Sequence, residues 1–261
     1  MIIDDGTRHL LIAYAEKYEQ KSFIETDPVS FVHRVKGERN QEVMGFIASW
    51  LSYGSRKQFM PKINRLIDWS KGKIYQWVKS GEFKTVIPAN DDCFYRLYNN
   101  RMIHNHLYAL QQLLIEHHSL KNFIAQHAHD GLSAVQALCQ YYANHKCEGI
   151  IPKTSSSASK RLCMYLRWMV RENSPVDLGI WKDIIPAHSL IMPLDTHVIK
   201  MANQLGLITS KTQTMKMALH LTAIMKEVFP NDPLKGDFAL YGHSVAQMDE
   251  HSIPSTSDKG Q

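Results

Sequence analysis

The 261-residue chain is short of the residues that end helices, with 13 glycines and 10 prolines. So few turn formers argue against many short strands and favour long helices. Its four cysteines, Cys93, Cys139, Cys147 and Cys163, make no C-x-x-C pair. Neither a zinc ribbon nor a cysteine-ligated iron–sulfur cluster is therefore signalled, and reduced thiols are expected. No stretch is long and apolar enough to cross a membrane. The N-terminal MIIDDGTRHL lacks the basic segment and apolar run of a secretory leader. A cytoplasmic protein with no membrane role is expected. There is no internal repeat. Charge of neither sign dominates: 30 Lys and Arg stand against 25 Asp and Glu, a net charge of +5. That suits an anionic partner without requiring one.

What is present is helical periodicity over a composition that is 44% hydrophobic, ample for one large domain or two packed lobes. Leu10, Leu11, Tyr14, Ala15 and Tyr18 recur at helical spacing, and Asp27-Pro28 reads as a helix start. The stretch NQEVMGFIASWLSYG predicts a strong helix with Val43, Phe46, Ile47, Trp50 and Leu51 on its apolar face and Gly54 at its end. A further helix is expected from near Pro61. A long one is expected over 91–117, with Leu97, Tyr98, Ile103, Leu107, Leu110 and Leu114 as core. Helices are also predicted over 132–142, 159–170, 193–205, 212–229 and 233–241. Residues 149–159 and 172–190 read as loops, and no strand of useful length is expected. The polar end, 247–261, is predicted to be disordered.

Two segments carry candidate chemistry. In IMPLDTHVIKMANQLGL, Asp195 stands at a helix start, where its carboxylate caps free backbone N–H groups. Those bonds and the helix dipole favour its ionised form. An ionised carboxylate in a cleft stabilises a developing cation. In SSSASKRLCMYLRWMVR, Lys160 lies where a serine-rich turn becomes a helix. The positive dipole end and neighbouring Arg161 disfavour an ammonium there and so favour a nucleophilic amine. The free amides of the same turn, around Ser157 and Ser159, suit a phosphate.

The segment PLDTHVIKMANQLGL resembles the aspartate motif of the endonuclease III and 8-oxoguanine glycosylase group, the helix-hairpin-helix (HhH-GPD) DNA glycosylase superfamily. The likeness runs over Asp195, Thr196, His197, Val198, Asn203, Leu205 and Gly206. SASKRLCMYLRWMVR is similar to the superfamily's lysine-bearing hairpin helix. With DLGIW and DPLKGDFALYG, it resembles a bacterial branch with some likeness to archaeal 8-oxoguanine glycosylases. WLSYGSRKQ is similar to the helix that ends in a DNA-probing loop. The resemblance implies an all-α, two-lobed fold over residues 1–246 with a cleft between the lobes. One lobe would be about 40–171 and the other 1–39 plus 172–246. It implies a base-excision glycosylase and AP lyase acting on a damaged base, with an oxidised purine as one candidate, in double-stranded DNA, monomeric and without a cofactor or metal. Lys160 would attack the sugar and Asp195 stabilise the cation. Ser157, Ser159, Arg161, Tyr53, Gly54, Ser55, Arg56 and Lys57 would face DNA, and Trp181, with Tyr53, would stack the flipped base. The enzyme would work in the cytoplasm, on the nucleoid when bound to DNA. Three departures stand out, one of them the missing iron–sulfur ligands of endonuclease III. Ser155 to Ser159 occupy the place of the hairpin's usual Gly-x-Gly, and Lys160 and Asp195 are further apart than in endonuclease III-type members.

Blander readings stand beside these. An Asp at a helix start is commonly only a cap, and a lone lysine commonly only surface charge. His197 reads as a buried histidine bonded to backbone. The histidine pairs 104/106, 117/118 and 127/129 have no acidic or cysteine partner and read as solvated helix faces. Arg161, Arg167 and Arg171, with Arg56, Lys57 and Lys62, are either a phosphate-facing surface or ordinary helix charge. Trp50, Trp69, Trp77 and Trp168 read as core. The alternatives to the enzyme are a non-catalytic DNA-binding module with lost chemistry and a helical scaffold with no nucleic-acid role.

Overall fold

The computed structural model describes residues 3–154 and 156–252. Ser155 and 253–261 lie outside the described residues. The all-α expectation holds at that level: thirteen α-helices are described, with one short antiparallel strand pair. The helices are α1 Asp5–Tyr18, α2 Ser22–Thr26, α3 Ser30–Arg34, α4 Glu38–Leu51, α5 Arg56–Ser70 and α6 Ile74–Ser80. Strands β1 (Cys93–Tyr95) and β2 (Tyr98–Asn99) follow, then α7 Asn100–Glu116, α8 Leu120–His127, α9 Gly131–Asn144 and α10 Lys160–Val170. The chain closes with α11 Thr196–Gln204, α12 Met215–Val228 and α13 Lys235–Ser252.

Local chemistry accounts for the starts. Asp4, Asn99, Ser119, Asp130 and Thr214 each accept a backbone N–H of their helix's first turn, satisfying donors the helix leaves free. Helix α5 begins upstream of Pro61, which sits inside it at the cost of one backbone hydrogen bond. Helix α4 is buried along most of its length and packs against α3, α5, α6, α8 and α10. Helix α13 lies along α1 and also contacts α11, so the first and last described helices pack together.

Several expectations are corrected. The segment 91–99 is not helical. A turn with Arg96 at φ 52° reverses the chain between β1 and β2 and leaves Leu97 75% exposed rather than in the core. Residues 247–252 continue α13 as helix. His106 is no solvated residue: it is fully buried beside Trp50 and Tyr142, with Nδ1 2.8 Å from the Met102 carbonyl, and burial pushes its pKa down to about 4. Trp50, Trp77 and Trp168 are core as expected, and Trp69 packs on the core while partly buried.

Arg167 and Arg171 do not face outward. Their side chains are 3% and 1% exposed. Arg167 donates to Asp177 and Asp237. Arg171 makes a bidentate pair with Asp232 at 2.8 Å and also donates to Asp177 and to Glu19. Four carboxylates from three stretches of the chain thus converge on the C-terminal end of α10. The connection after α10 folds back in the same way: the N–H groups of Leu178 and Trp181 donate to the carbonyls of Trp168 and Met169.

That return carries Trp181 into the core, fully buried, with its indole N–H donated to Glu42 at 3.1 Å. Burial pushes the Glu42 carboxyl above its usual range, and the Trp181 bond offsets this only in part. A raised carboxyl favours the folded state below its ordinary pKa, and the gain is lost as pH rises through the folded value. Glu42→Gln keeps an acceptor for Trp181 without the charge. The variant is expected to match or exceed the wild type in urea stability at pH 7, and to lose that relative advantage toward pH 4.

Candidate active site

Asp195 is the N-cap of α11. Its Oδ1 accepts the N–H groups of His197 at 2.9 Å and Val198 at 2.8 Å. Val198, Ile199, Met201 and Ala202 are buried, which fixes the helix and so the cap. This division leaves Oδ2 free to face elsewhere. It lies 2.8 Å from Nζ of Lys160, the first residue of α10. Two helices distant in sequence therefore begin at one point, with the lysine of one on the carboxylate of the other. Both side chains are partly exposed, at 40% and 29%. Burial pushes the Asp195 carboxyl up, but the charge and hydrogen bond of Lys160, with the Val198 N–H, outweigh it and hold the group below the usual carboxylate range.

The turn before Lys160 is built without glycine. Ser159 is buried and adopts φ 45°, the left-handed conformation that glycine would take at no steric cost. The Ala158 N–H donates to Gln213 O and the Met215 N–H to Ser156 O, so the turn is pinned to the start of α12. These backbone bonds hold the glycine-free turn in place.

Lys160 and Asp195 lie on the wall of a cavity of about 600 Å³. That is within the ~300–1,000 Å³ usual for ligand sites. Of the residues singled out from the sequence, Tyr53, Gly54, Arg56, Ser157, Ser159 and Arg161 line it as well. Gly54, at φ 85°, makes the bend between α4 and α5 that brings Tyr53 and Arg56 to the rim. Ser55 and Lys57 are exposed but are not on the cavity wall.

Three expectations fail here. Trp181 is not in the cavity. His197, read as buried, is exposed on α11, because the helix turns its apolar positions inward instead. Arg161 does not add positive charge beside the lysine in the way expected. Its guanidinium is committed to the Trp50 and Ile150 carbonyls and the Tyr98 hydroxyl, while the nearest charge to Lys160 is the carboxylate.

A family model described as "Protein of unknown function (DUF2400)" matches residues 27–246. The chain belongs to the DUF2400 family. No protein of curated function and no solved structure matches it. The span of the DUF2400 match contains every residue of the cavity wall named above.

The DUF2400 cavity also holds groups that sequence reasoning passed over. Trp50 and Phe59, both nearly fully buried, give it an apolar wall. Asp27 lines it too, and a smaller recess of about 130 Å³ adjoins it, shared by Asp27, Arg56, Lys160, Asp195, His197 and Asp237. Burial pushes the carboxyls of Asp27 and Asp237 up, with the Arg167 charge opposing in both cases. No local pattern marks Asp27 as more than a helix start.

Proposed function

We propose that this protein is a DNA base-excision glycosylase with AP lyase activity, built as two helical lobes of the helix-hairpin-helix type that close on the cavity of Lys160 and Asp195. The observation that supports this reading best is the 2.8 Å contact between Nζ of Lys160 and Oδ2 of Asp195 on the wall of a cavity sized for a ligand. A lysine amine is the nucleophile that forms a Schiff base with a sugar aldehyde. A carboxylate held ionised beside it is the group that stabilises an oxocarbenium-like transition state.

In this mechanism the damaged nucleotide leaves the duplex and enters the cavity. The amine attacks C1′ as the glycosidic bond breaks, and the departing base takes up a proton. Asp195 Oδ2 faces the charge that develops on the sugar and is the acceptor within reach of the lysine's proton. Cleavage of the C1′–O4′ bond, with a proton taken up by the ring oxygen, turns the adduct into an iminium, and loss of a C2′ proton then expels the 3′ phosphate by elimination, which cuts the strand. Tyr53 and Arg56 at the rim, and Lys57 outside it, meet the duplex. An oxidised purine is the favoured lesion. A monomer suffices, working in the cytoplasm on nucleoid DNA.

The test is borohydride trapping on duplexes carrying one abasic site or one 8-oxoguanine. A covalent adduct on the Lys160 peptide is expected with both. Salt-sensitive binding with no adduct would leave only a DNA-binding module, and no binding at low salt would remove the nucleic-acid role altogether.

A further inference from the structure

We propose that Asp237 stores the proton that Lys160 must shed before it can attack, receiving it from Asp195 across the recess they share and returning it as the base leaves. The proposal rests on the glycosylase reading and gives that reaction a further residue. Asp237 acts through Asp195, so it is a positioning residue for the proton rather than a group on the substrate.

Asp195 is asked for two things that exclude each other. It is the acceptor within reach of the lysine's proton, 2.8 Å from Nζ. It must also be ionised when charge develops on the sugar, and a carboxyl that keeps the proton is neutral. Against burial, the charge and hydrogen bond of Lys160 hold Asp195 below the usual carboxylate range, so it binds a proton weakly. A second carboxyl that binds one more strongly resolves the conflict. Sites divide acid and base work between carboxyls whose surroundings push their pKa values apart.

Asp237 is such a carboxyl. It stands in the first turn of α13, which packs on α11, the helix that Asp195 caps. Its Oδ2 accepts Nη1 of Arg167, which holds the group in place, and its side chain is 18% exposed. It lines the recess of about 130 Å³ together with Lys160 and Asp195. Burial pushes its carboxyl up, and the charges of Lys160 and Asp195 both act on it. Asp27, the other raised carboxyl on that wall, accepts the Val29 N–H and faces Arg56 of α5 instead. The remaining titratable groups there are His197 of α11 and Tyr241, one turn beyond Asp237. Arg167 lines the recess as well, and its buried Nη2 has no acceptor among the described residues. A water takes up about 30 Å³ and needs polar partners, and the recess offers both room and partners. One seated there accepts the Nη2 N–H and bridges the two carboxylates.

The proton balance closes. The lysine ammonium passes one proton to Asp195 Oδ2 and on through the water to Asp237. The freed lone pair forms the N–C1′ bond while the glycosidic bond breaks, its electron pair leaving with the base. The stored proton returns by the same path to that base, and Asp237 is ionised again. On an abasic site the proton leaves with the aldehyde oxygen, in the water that Schiff-base formation releases.

Single-turnover trapping on an abasic duplex would be followed from pH 5 to pH 9 with wild type and Asp237→Asn, using cyanoborohydride, which survives mild acid. Asn keeps an acceptor for Arg167 but cannot store a proton. The wild-type rate is expected to rise with pH as Asp237 ionises and to level off by neutrality; Asp195, the more acidic group, is ionised throughout. Asp237→Asn is expected to be about 10²-fold slower at pH 7, to lose the plateau and to climb with pH across the range as hydroxide takes over the proton. An equal loss at every pH, with the profile unchanged in shape, would make Asp237 a partner of Arg167 alone and overturn the proposal. So would a variant that traps at the wild-type rate. Should the Asn variant fail to fold, Asp237→Glu decides. It keeps a carboxyl of different acidity, so the midpoint of the acid limb should move, and an unmoved midpoint would assign that limb to another group and overturn the proposal. If wild type traps nothing at any pH, the glycosylase reading falls first and takes this proposal with it.

Discussion

Lys160→Gln is expected to abolish the borohydride-trapped adduct, and Asp195→Asn to lower base excision about 10²–10³-fold while leaving the adduct detectable on an abasic duplex. The two effects differ because the two groups do different work. Without an amine at position 160 no Schiff base forms, whatever the rest of the cavity provides. Asp195 instead acts where charge develops, and removing one preorganised electrostatic partner from such a site costs rate rather than chemistry. Asn at 195 can still accept the His197 and Val198 N–H groups through its carbonyl oxygen, so α11 keeps its cap. The two variants therefore separate catalysis from folding. A third measurement sharpens this. The Asp195 carboxyl is held below its usual range, so its contribution to stability is present above the ordinary carboxylate pKa and is lost as pH falls through the folded value. Urea stability of Asp195→Asn relative to wild type should be worst near neutrality and converge in acid. Excision by Lys160→Gln at the wild-type rate would remove the lysine from the mechanism.

Asp195 and Lys160 were legible in the sequence because what identifies them is local. A carboxylate two and three residues before the N–H groups it caps can be read from a segment of the chain, and so can a lysine at the first position of a helix. Their meeting at 2.8 Å is not local, and the charge beside Lys160 was accordingly misjudged. Arg167 and Arg171 show the same limit more sharply. At helical spacing they look like a basic face. Their partners Glu19, Asp232 and Asp237 lie in elements that only tertiary packing brings near. Trp181 sits outside any helix, which suggested a site, yet the backbone bonds of the 178–181 return to α10 draw it inward and Glu42 satisfies its indole. The strand pair was missed because its strands are three and two residues long, too short to show a period of two, and because Arg96 adopts a left-handed turn without glycine. Asp27 carried no signal beyond Asp-Pro, since burial of a polar group is a property of the packed chain.

Arg171→Met is expected to destabilise the fold by about 3–5 kcal/mol, the range for breaking a buried ion pair from one side. Asp177 has a fully buried side chain and would keep only Arg167, while Glu19 and Asp232 would face each other with no cation between them. The loss comes from stranded carboxylates rather than from a missing attraction, so replacing Arg171 alone should cost more than replacing it together with Asp232 by apolar residues. Arg171→Lys should recover only part of the loss, because one ammonium cannot reproduce the bidentate fork on Asp232 while also reaching Glu19 and Asp177. Burial shields the cluster from salt, so the penalty should persist at high ionic strength. Urea denaturation of the three variants would check this, and a loss under about 1 kcal/mol for Arg171→Met would place the cluster with exposed ion pairs. The cluster anchors the end of α10 away from Lys160. Folded Arg171→Met should therefore trap DNA at the wild-type rate per folded molecule, whereas a cation of the DNA interface would give weaker, less salt-dependent binding on the same substitution.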